Sequence, residues 1–349
     1  MKFALLFGGE SYEHEISIVS AIALKKVLPN VSQYIFLDAE GGFWLIAPEH
    51  MRSDHFADAT YRKGERLSLE RGGFYRKKML GSKRLEGFDV LINLVHGGQG
   101  EDGTLASLLE FFDIPFIGPR REASVVSCNK WLTKLYADGA GVDTVAYERL
   151  GIDEAREVKT PLPLIVKPLR LGSSIGVSVV REAGRLDYAL DQAFEFDDEV
   201  LIEPFVEGIA EYNVAGCRIG DEWVIGRIEA PQKEEFLDFE QKYLDFGRTG
   251  EVAEADVDER LKEALIQAFK RVYGTLFDGA LIRCDFFVHE GKILLNEINP
   301  IPGSLAHYLF DNYPDVLDRL AQNLPRKRAI RPTYAYIDKV QSAKGPKSR

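Results

Sequence analysis

Over residues 1–122 the apolar positions switch between two periods. Phe3–Phe7 is an unbroken apolar run, Glu13–Leu28 follows helical spacing until Pro29 stops it, and Gln33–Asp38 reads as a second strand. Phe88–Val95 is a further strand and leads into the loop His96-Gly97-Gly98-Gln99-Gly100-Glu101-Asp102-Gly103. Beyond that loop Leu105, Leu108, Leu109 and Phe112 recur on one face of a helix. Strands alternating with helices predict an α/β unit whose parallel sheet is covered on both sides. Ligands of such sheets bind beyond the carboxyl ends of the strands, so the loops after Phe7 and Val95 are the places to look.

Pro119–Asn129 reads as a connection, followed by a helix from Lys130 to Asp138 with Gly139 as its C-cap. Leu164–Lys167 and Val177–Val180 then flank the loop Gly172-Ser173-Ser174-Ile175-Gly176. Glu199–Glu203 and Tyr212–Arg218 are strands separated by Pro204 and Gly208. Pro231–Gly250 has no period, yet it carries Phe236, Phe239, Tyr243 and Phe246 among many charges, which predicts a lid. Leu261, Ala264, Leu265, Ala268, Phe269 and Val272 form an amphipathic helix ending at Gly274.

Leu281–Val288 and Lys292–Asn299 are strands joined by His289-Glu290-Gly291. A three-residue hairpin loop with Gly in the left-handed position pairs Val288 with Lys292, hence Arg283 with Glu297. Alternation puts Asp285 and Asn299 on that same face. Two carboxylates so close repel unless a cation lies between them, and hard oxygen donors suit Mg2+, which takes its other ligands from phosphates. The alternative is a surface hairpin whose polar face meets water and whose Ile282, Cys284 and Phe286 face inward.

Composition narrows the class. At 349 residues the chain is long enough for two or three domains, and 45% hydrophobic with 28% charged residues is globular usage. The expected divisions are 1–122, 123–212 and 213–325, with a basic tail at 326–349. No apolar run is long enough to span a membrane, and Phe3–Phe7 is too short for a secretory signal. The net charge is −11; residues 325–349 hold eight basic residues and one acid, so the preceding body carries −18. General nucleic-acid binding is therefore not expected, and the tail is expected to be a solvated end. Cys128, Cys217 and Cys284 form no CxxC pair, which argues against a zinc site or disulfide framework and for a reduced, cytoplasmic setting.

Lys167 ends a strand just before the Gly/Ser loop. Glycines let backbone N–H groups approach an anion, and serines add donors. The loop is neither a P-loop nor G-x-G-x-x-G, and alone it reads as a turn. Lys130, Lys167 and Lys242 gain interest from sharing a chain with hard-oxygen donors and an aromatic lid.

Taken in order, Lys130, Val166-Lys167-Pro168, Gly172-Ser-Ser-Ile-Gly176, Glu203, Glu211, Lys242-Tyr243, Arg283-Cys-Asp285 and Glu297-Ile-Asn-Pro-Ile-Pro-Gly303 resemble the ATP-grasp fold. With Gly8-Gly-Glu-Ser-Tyr-Glu-His-Glu-Ile-Ser17 and His96–Gly103, the chain resembles the D-alanine–D-alanine ligase family over residues 1–325. The resemblance implies an N-terminal parallel-sheet domain followed by a two-subdomain, α+β ATP-grasp unit. It implies that Lys130, Lys167, Ser173, Ser174 and Lys242 meet ATP phosphates, that the stretch Glu203–Val206 meets adenine, and that Glu211 holds the ribose. Asp285, Glu297 and Asn299 would bind two Mg2+ ions, with Mn2+ able to substitute. Glu13, oriented by His96, would bind the ammonium of the first D-alanine and link to Ser173 and Tyr243. Arg283 and the N–H of Gly303 would form the oxyanion hole. A homodimer formed through the N-terminal domain is also implied.

One stretch departs from the family. Ser304-Leu305-Ala306-His307-Tyr308 follows the Pro-Gly pair, with Tyr308 where a serine for the second substrate's carboxylate is usual and Leu305 where threonine is common. The remaining readings are another carboxylate–amine ligase, a dinucleotide oxidoreductase and a non-catalytic nucleotide binder. Against them stand the Glu13, Ser173, Tyr243 trio, the absence of a third spaced glycine after Gly8-Gly9, and the retained Arg283 and metal donors.

Overall fold

The computed structural model describes residues 1–231, 252–326, 328 and 330–343. The proposed lid, with Lys242 and Tyr243, lies outside the described residues.

Three sheets make up the chain. The first has eight strands in the order Ser82–Arg84, Gly73–Lys77, Glu65–Glu70, Phe43–Ile46, Val31–Leu37, Phe3–Gly8, Val90–Asn93 and Phe116–Ile117. The last four run parallel, as expected. Phe3, Leu5 and Phe7 enter one apolar core while Ala4 and Leu6 enter another, which is why the first strand is apolar at every position. The other half is an antiparallel meander that the periodicity reading passed over. Its outer strands are short and charged, so no long apolar pattern marks them.

A second, antiparallel sheet orders Ser178–Val180, Leu164–Pro168, Glu199–Pro204 and Glu148–Gly151 under the helix Leu186–Phe194. The third orders Glu222–Ile225, Ala210–Ile219, Ile282–His289 and Lys292–Asn299. Phe269 and Val272 of helix Glu259–Tyr273 pack in the core beside Ile282 and Phe286. Asp258 caps that helix at its start, its carboxylate accepting from Leu261 N–H at 2.8 Å, and Gly274 follows its end with φ +51°.

Two connections differ from expectation. Residues expected to be a linker contain the helix Arg121–Cys128, which buries only small side chains, Ala123, Ser124 and Ser127. The next helix spans Lys130–Gly139, and the left-handed position after it belongs to Gly141 (φ +69°), so Gly139 lies inside the last turn. In the tail, expected to be a solvated end, Ala335–Ala343 is helical with every residue exposed. Among the described residues no helix is long and apolar enough to cross a membrane.

Candidate active site

The first strand stops at Gly8, whose N–H donates to Ser17 Oγ at 2.8 Å; Ser17 Oγ in turn donates to the Leu94 carbonyl at 2.6 Å. Ser11 Oγ donates to the His96 carbonyl, also at 2.6 Å. The two loops expected to bind ligands are thus tied to one another. Glu13 stands between them at the head of the helix His14–Val27 and is 8% exposed.

The Glu13 carboxylate is walled in by backbone. A Cβ at Gly97 would lie 2.6 Å from its Oε2, and one at Gly172 would lie 3.0 Å from its Oε1. Ser173 Oγ donates to Glu13 Oε1, joining the Gly/Ser loop of the second sheet to the first sheet's helix. Ser173 and Ser174 both take left-handed backbone, at φ 52° and 59°. Glu13 and Ser173, separated by 160 positions in the chain, therefore meet as expected.

Behind them is a buried lysine cluster. Asn129 caps the helix Lys130–Gly139, accepting from the N–H groups of Trp131 and Leu132, and this aims Lys130 and Lys134 inward one turn apart. Lys130 Nζ donates to the Leu171 carbonyl at the root of the Gly/Ser loop. Lys167 donates to Glu203 Oε2 at 2.6 Å and to Asn296 Oδ1 at 3.3 Å. Lys134 pairs with the other Glu203 oxygen. Although burial opposes it, the pair of ammonium groups lowers the Glu203 carboxyl pKa to about 2. Burial lowers the pKa of Lys130 and Lys134, whereas Glu203 outweighs burial at Lys167 and raises it. The Glu203 side chain thus anchors the two lysines.

The carboxylate hairpin corrects the expected register. His289 pairs with Lys292 across a two-residue turn, Glu290-Gly291, in which both residues have positive φ (50° and 76°). Further along, a bulge at Asn296 inserts one residue, so Asp285 pairs with Glu297 and Arg283 with Asn299. Turn and bulge each shift the register by one. Two shifts restore parity, and the four side chains still share a face.

On that face Arg283 donates to both Asp285 oxygens, at 2.7 and 2.8 Å, and Asn299 Nδ2 donates to Asp285 Oδ2 at 3.0 Å. Even so, burial, with Glu297 and Glu211 nearby, raises the Asp285 pKa to about 7. Two carboxylates, Asp285 and Glu297, thus face one another across the hairpin with Glu211 nearby. Their hard oxygen donors fit a divalent cation. Among the described residues no three His, Cys, Asp or Glu side chains converge as a metal cluster, so the candidate donors are two carboxylates and one amide.

The Pro-Gly loop closes the site. Gly303 opens a turn in which Ser304, Leu305 and Ala306 all have φ near 48°. Three consecutive non-glycine residues in this region store strain, a cost met at binding sites. Ser304 N–H donates to Ser20 Oγ at 3.0 Å. His96 bonds to the Leu94 carbonyl at 2.7 Å and to the Pro302 backbone, so it ties its loop to the Pro-Gly loop. Burial lowers its pKa to about 4, leaving a neutral ring. Tyr308 is bonded to Arg283, and burial pushes its hydroxyl up to about 12.

A small cavity of about 50 Å3 is lined by Glu13, Glu101, Lys130, Gly172, Glu297 and Asn299. Sequence reasoning missed Glu101, Lys134 and Cys128. Burial, and then the Glu13 carboxylate, push the Glu101 carboxyl well above the usual carboxylate range. The spacing of Lys130 and Lys134 was the signal for the second lysine. Nothing in the sequence set Cys128 apart.

Three sheets with a glycine-serine hairpin facing a carboxylate hairpin, and a lysine cluster between them, define an ATP-grasp ligase. Residues 2–119 match the D-ala D-ala ligase N-terminus family and residues 143–315 the D-ala D-ala ligase C-terminus family. The chain is 57% identical over 345 residues to a D-alanine–D-alanine ligase of Wolinella succinogenes, covering 99% of this chain and 100% of that one. It is 53% identical over 346 residues to the enzyme of the same name from a Sulfurovum species, covering 99% of each. The crystal structure of the D-alanine–D-alanine ligase of Helicobacter pylori superposes with a TM-score of 0.85 at 49% identity, covering 94% of this chain and 100% of that one. The chain belongs to the D-alanine–D-alanine ligase family.

Proposed function

We propose that this enzyme joins two D-alanines at the expense of ATP, in the cytoplasm, for cell-wall synthesis. The observation that carries the reading is the Glu13–Ser173 bond beside Lys130, which builds an amino-acid site against a phosphate site. Glu13 holds the ammonium of the first D-alanine, with Gly97 and Gly172 fixing the carboxylate from either side. The first carboxylate attacks the γ-phosphoryl group, ADP leaves, and an acyl phosphate results. The second D-alanine's amine attacks that carbonyl, loses its proton, and inorganic phosphate departs.

Lys130 and Lys167 hold the phosphates and Glu211 the ribose. Asp285, Glu297 and Asn299 hold two Mg2+ ions, or Mn2+, which supply charge neutralisation at the phosphate oxygens. Arg283 spends two of its donors on Asp285; its remaining donors and the Gly303 N–H stabilise the oxyanion of the second step. Ser304, Leu305 and Tyr308 border the second D-alanine. Closure of the Gly/Ser loop keeps water from the acyl phosphate. The active species is taken to be a homodimer.

The test is phosphate release from MgATP with D-alanine or L-alanine supplied. Release only with D-alanine is expected. Equal release with both, or none with either, would remove the assignment.

A further inference from the structure

Outside the Glu13–Ser173 bond lies a second cavity of about 700 Å3, bordered by Ser11, Tyr12, Arg170, Leu171, Phe196 and Asp197. It shares Arg170, Leu171 and Gly98 with the inner cavity, so the two adjoin. Tyr12 belongs to the loop of the first sheet, one residue before Glu13. Phe196 belongs to the turn after the helix Leu186–Phe194 of the second unit. Their rings meet edge-on, with centroids 5.3 Å apart and planes at 80°.

Phe196 and its neighbour also clamp the Gly/Ser loop at both ends. A Cβ at Gly176, the loop's last residue, would lie 2.8 Å from Phe196 Cδ2, so the ring rests on that backbone. Gly176 has φ +70°, which suits glycine. At the loop's other end Asp197 accepts from Arg170 N–H at 2.7 Å and pairs with the Arg170 guanidinium. The segment 196–197 is thus a clasp on the loop that carries Ser173. Tyr12 is what fastens this clasp to the first sheet.

We infer that Tyr12 and Phe196 form a latch that holds the Gly/Ser loop down on Glu13 while the acyl phosphate exists. Both are positioning residues, acting through Ser173 on the first substrate and on access of water. The inference rests on Glu13 binding that substrate. With the latch loose, water attacks the acyl phosphate carbonyl, returning free D-alanine and inorganic phosphate and consuming ATP without peptide.

Tyr12 is 62% exposed, so Tyr12→Ala should fold. Phosphate released and dipeptide formed are measured together in the full chain with MgATP and D-alanine. Tyr12→Ala is expected to raise phosphate per dipeptide above one and to raise KM for the first D-alanine about two- to tenfold, the range an aromatic pair supports. kcat for phosphate release should change less. Tyr12→Phe keeps the ring and should restore both quantities; Phe196→Leu should resemble Tyr12→Ala. A ratio of one with unchanged KM in Tyr12→Ala overturns the latch, and so does a Tyr12→Phe enzyme as leaky as the alanine variant. Glu13→Gln is run beside them: if it keeps normal KM, the substrate assignment fails, whereas its loss with a normal Tyr12→Ala enzyme sinks the latch alone.

Discussion

Glu203→Gln removes the negative charge from a carboxylate whose side chain is 2% exposed and lies between Lys134 and Lys167. The native group is lowered from its ordinary value of 4.5 to about 2. At about 1.4 kcal/mol per unit, that difference is about 3 kcal/mol of stability at neutral pH. A carboxyl with a depressed folded pKa contributes fully above its unfolded pKa and loses the contribution as pH falls through the folded one. About 2 kcal/mol should therefore be gone at pH 3. Breaking one side of a buried ion pair costs about 3–5 kcal/mol in general, which agrees. Urea unfolding of both proteins from pH 7 downward measures the gap directly. The gap should shrink between pH 4.5 and 3. A variant within about 1 kcal/mol of the native protein at pH 7, or a gap unchanged by acid, would refute the reasoning.

Glu297→Gln should abolish turnover by weakening the hold on Mg2+, whereas near-normal activity at saturating Mg2+ would count against the donor assignment. Gly97→Ala places a Cβ 2.6 Å from Glu13 Oε2 at a φ of +62°, so KM for the first D-alanine should rise at least tenfold, and an unchanged KM would clear Gly97 of that role. Tyr308→Ser should lower KM for the second D-alanine by freeing Arg283 and the space beside it; an unaltered KM discards the idea. His96 is neutral because burial lowers its pKa to about 4, so the stability it lends above pH 6.5 should fade as pH drops towards 4. A thermal-unfolding series for His96→Asn that keeps the native slope over that window would contradict this.

The parallel strands were legible because both faces of Phe3–Phe7 are buried, and an apolar run is the mark of that burial. The meander Phe43–Arg84 was not, since its short strands keep charged residues on the solvent side. The shared face of Arg283, Asp285, Glu297 and Asn299 was read correctly from a register that was itself wrong. Strand alternation retains only parity, and the bulge at Asn296 restored the parity that the turn had changed. Glu203 illustrates a harder limit. Its carboxylate is held by Lys134 from a helix far earlier in the chain, and that partnership exists only after the second sheet has packed on it. Arg283 with Tyr308 is a similar case, since the left-handed turn at Ser304–Ala306 sets where the phenol reaches.

Charge accounting across the site explains why nucleotide and metal belong together here. Glu13, Glu101, Glu203, Glu211, Asp285 and Glu297 all lie within electrostatic reach of Lys130, Lys134, Lys167 and Arg283. Carboxyls outnumber cations among these described groups, and burial, with other carboxylates nearby, holds up the pKa of Glu101 and of Asp285. A bare triphosphate would add several negative charges to a low-dielectric pocket already short of positive ones. Lys134 and Lys167 are already paired with Glu203, so the lysines offset only part of that charge. Affinity for the nucleotide must therefore depend on cations that arrive with it. Glu297, which lines the same cavity as Lys130 and Glu13, pairs with Asp285 across the hairpin, and this is the face proposed above to receive them.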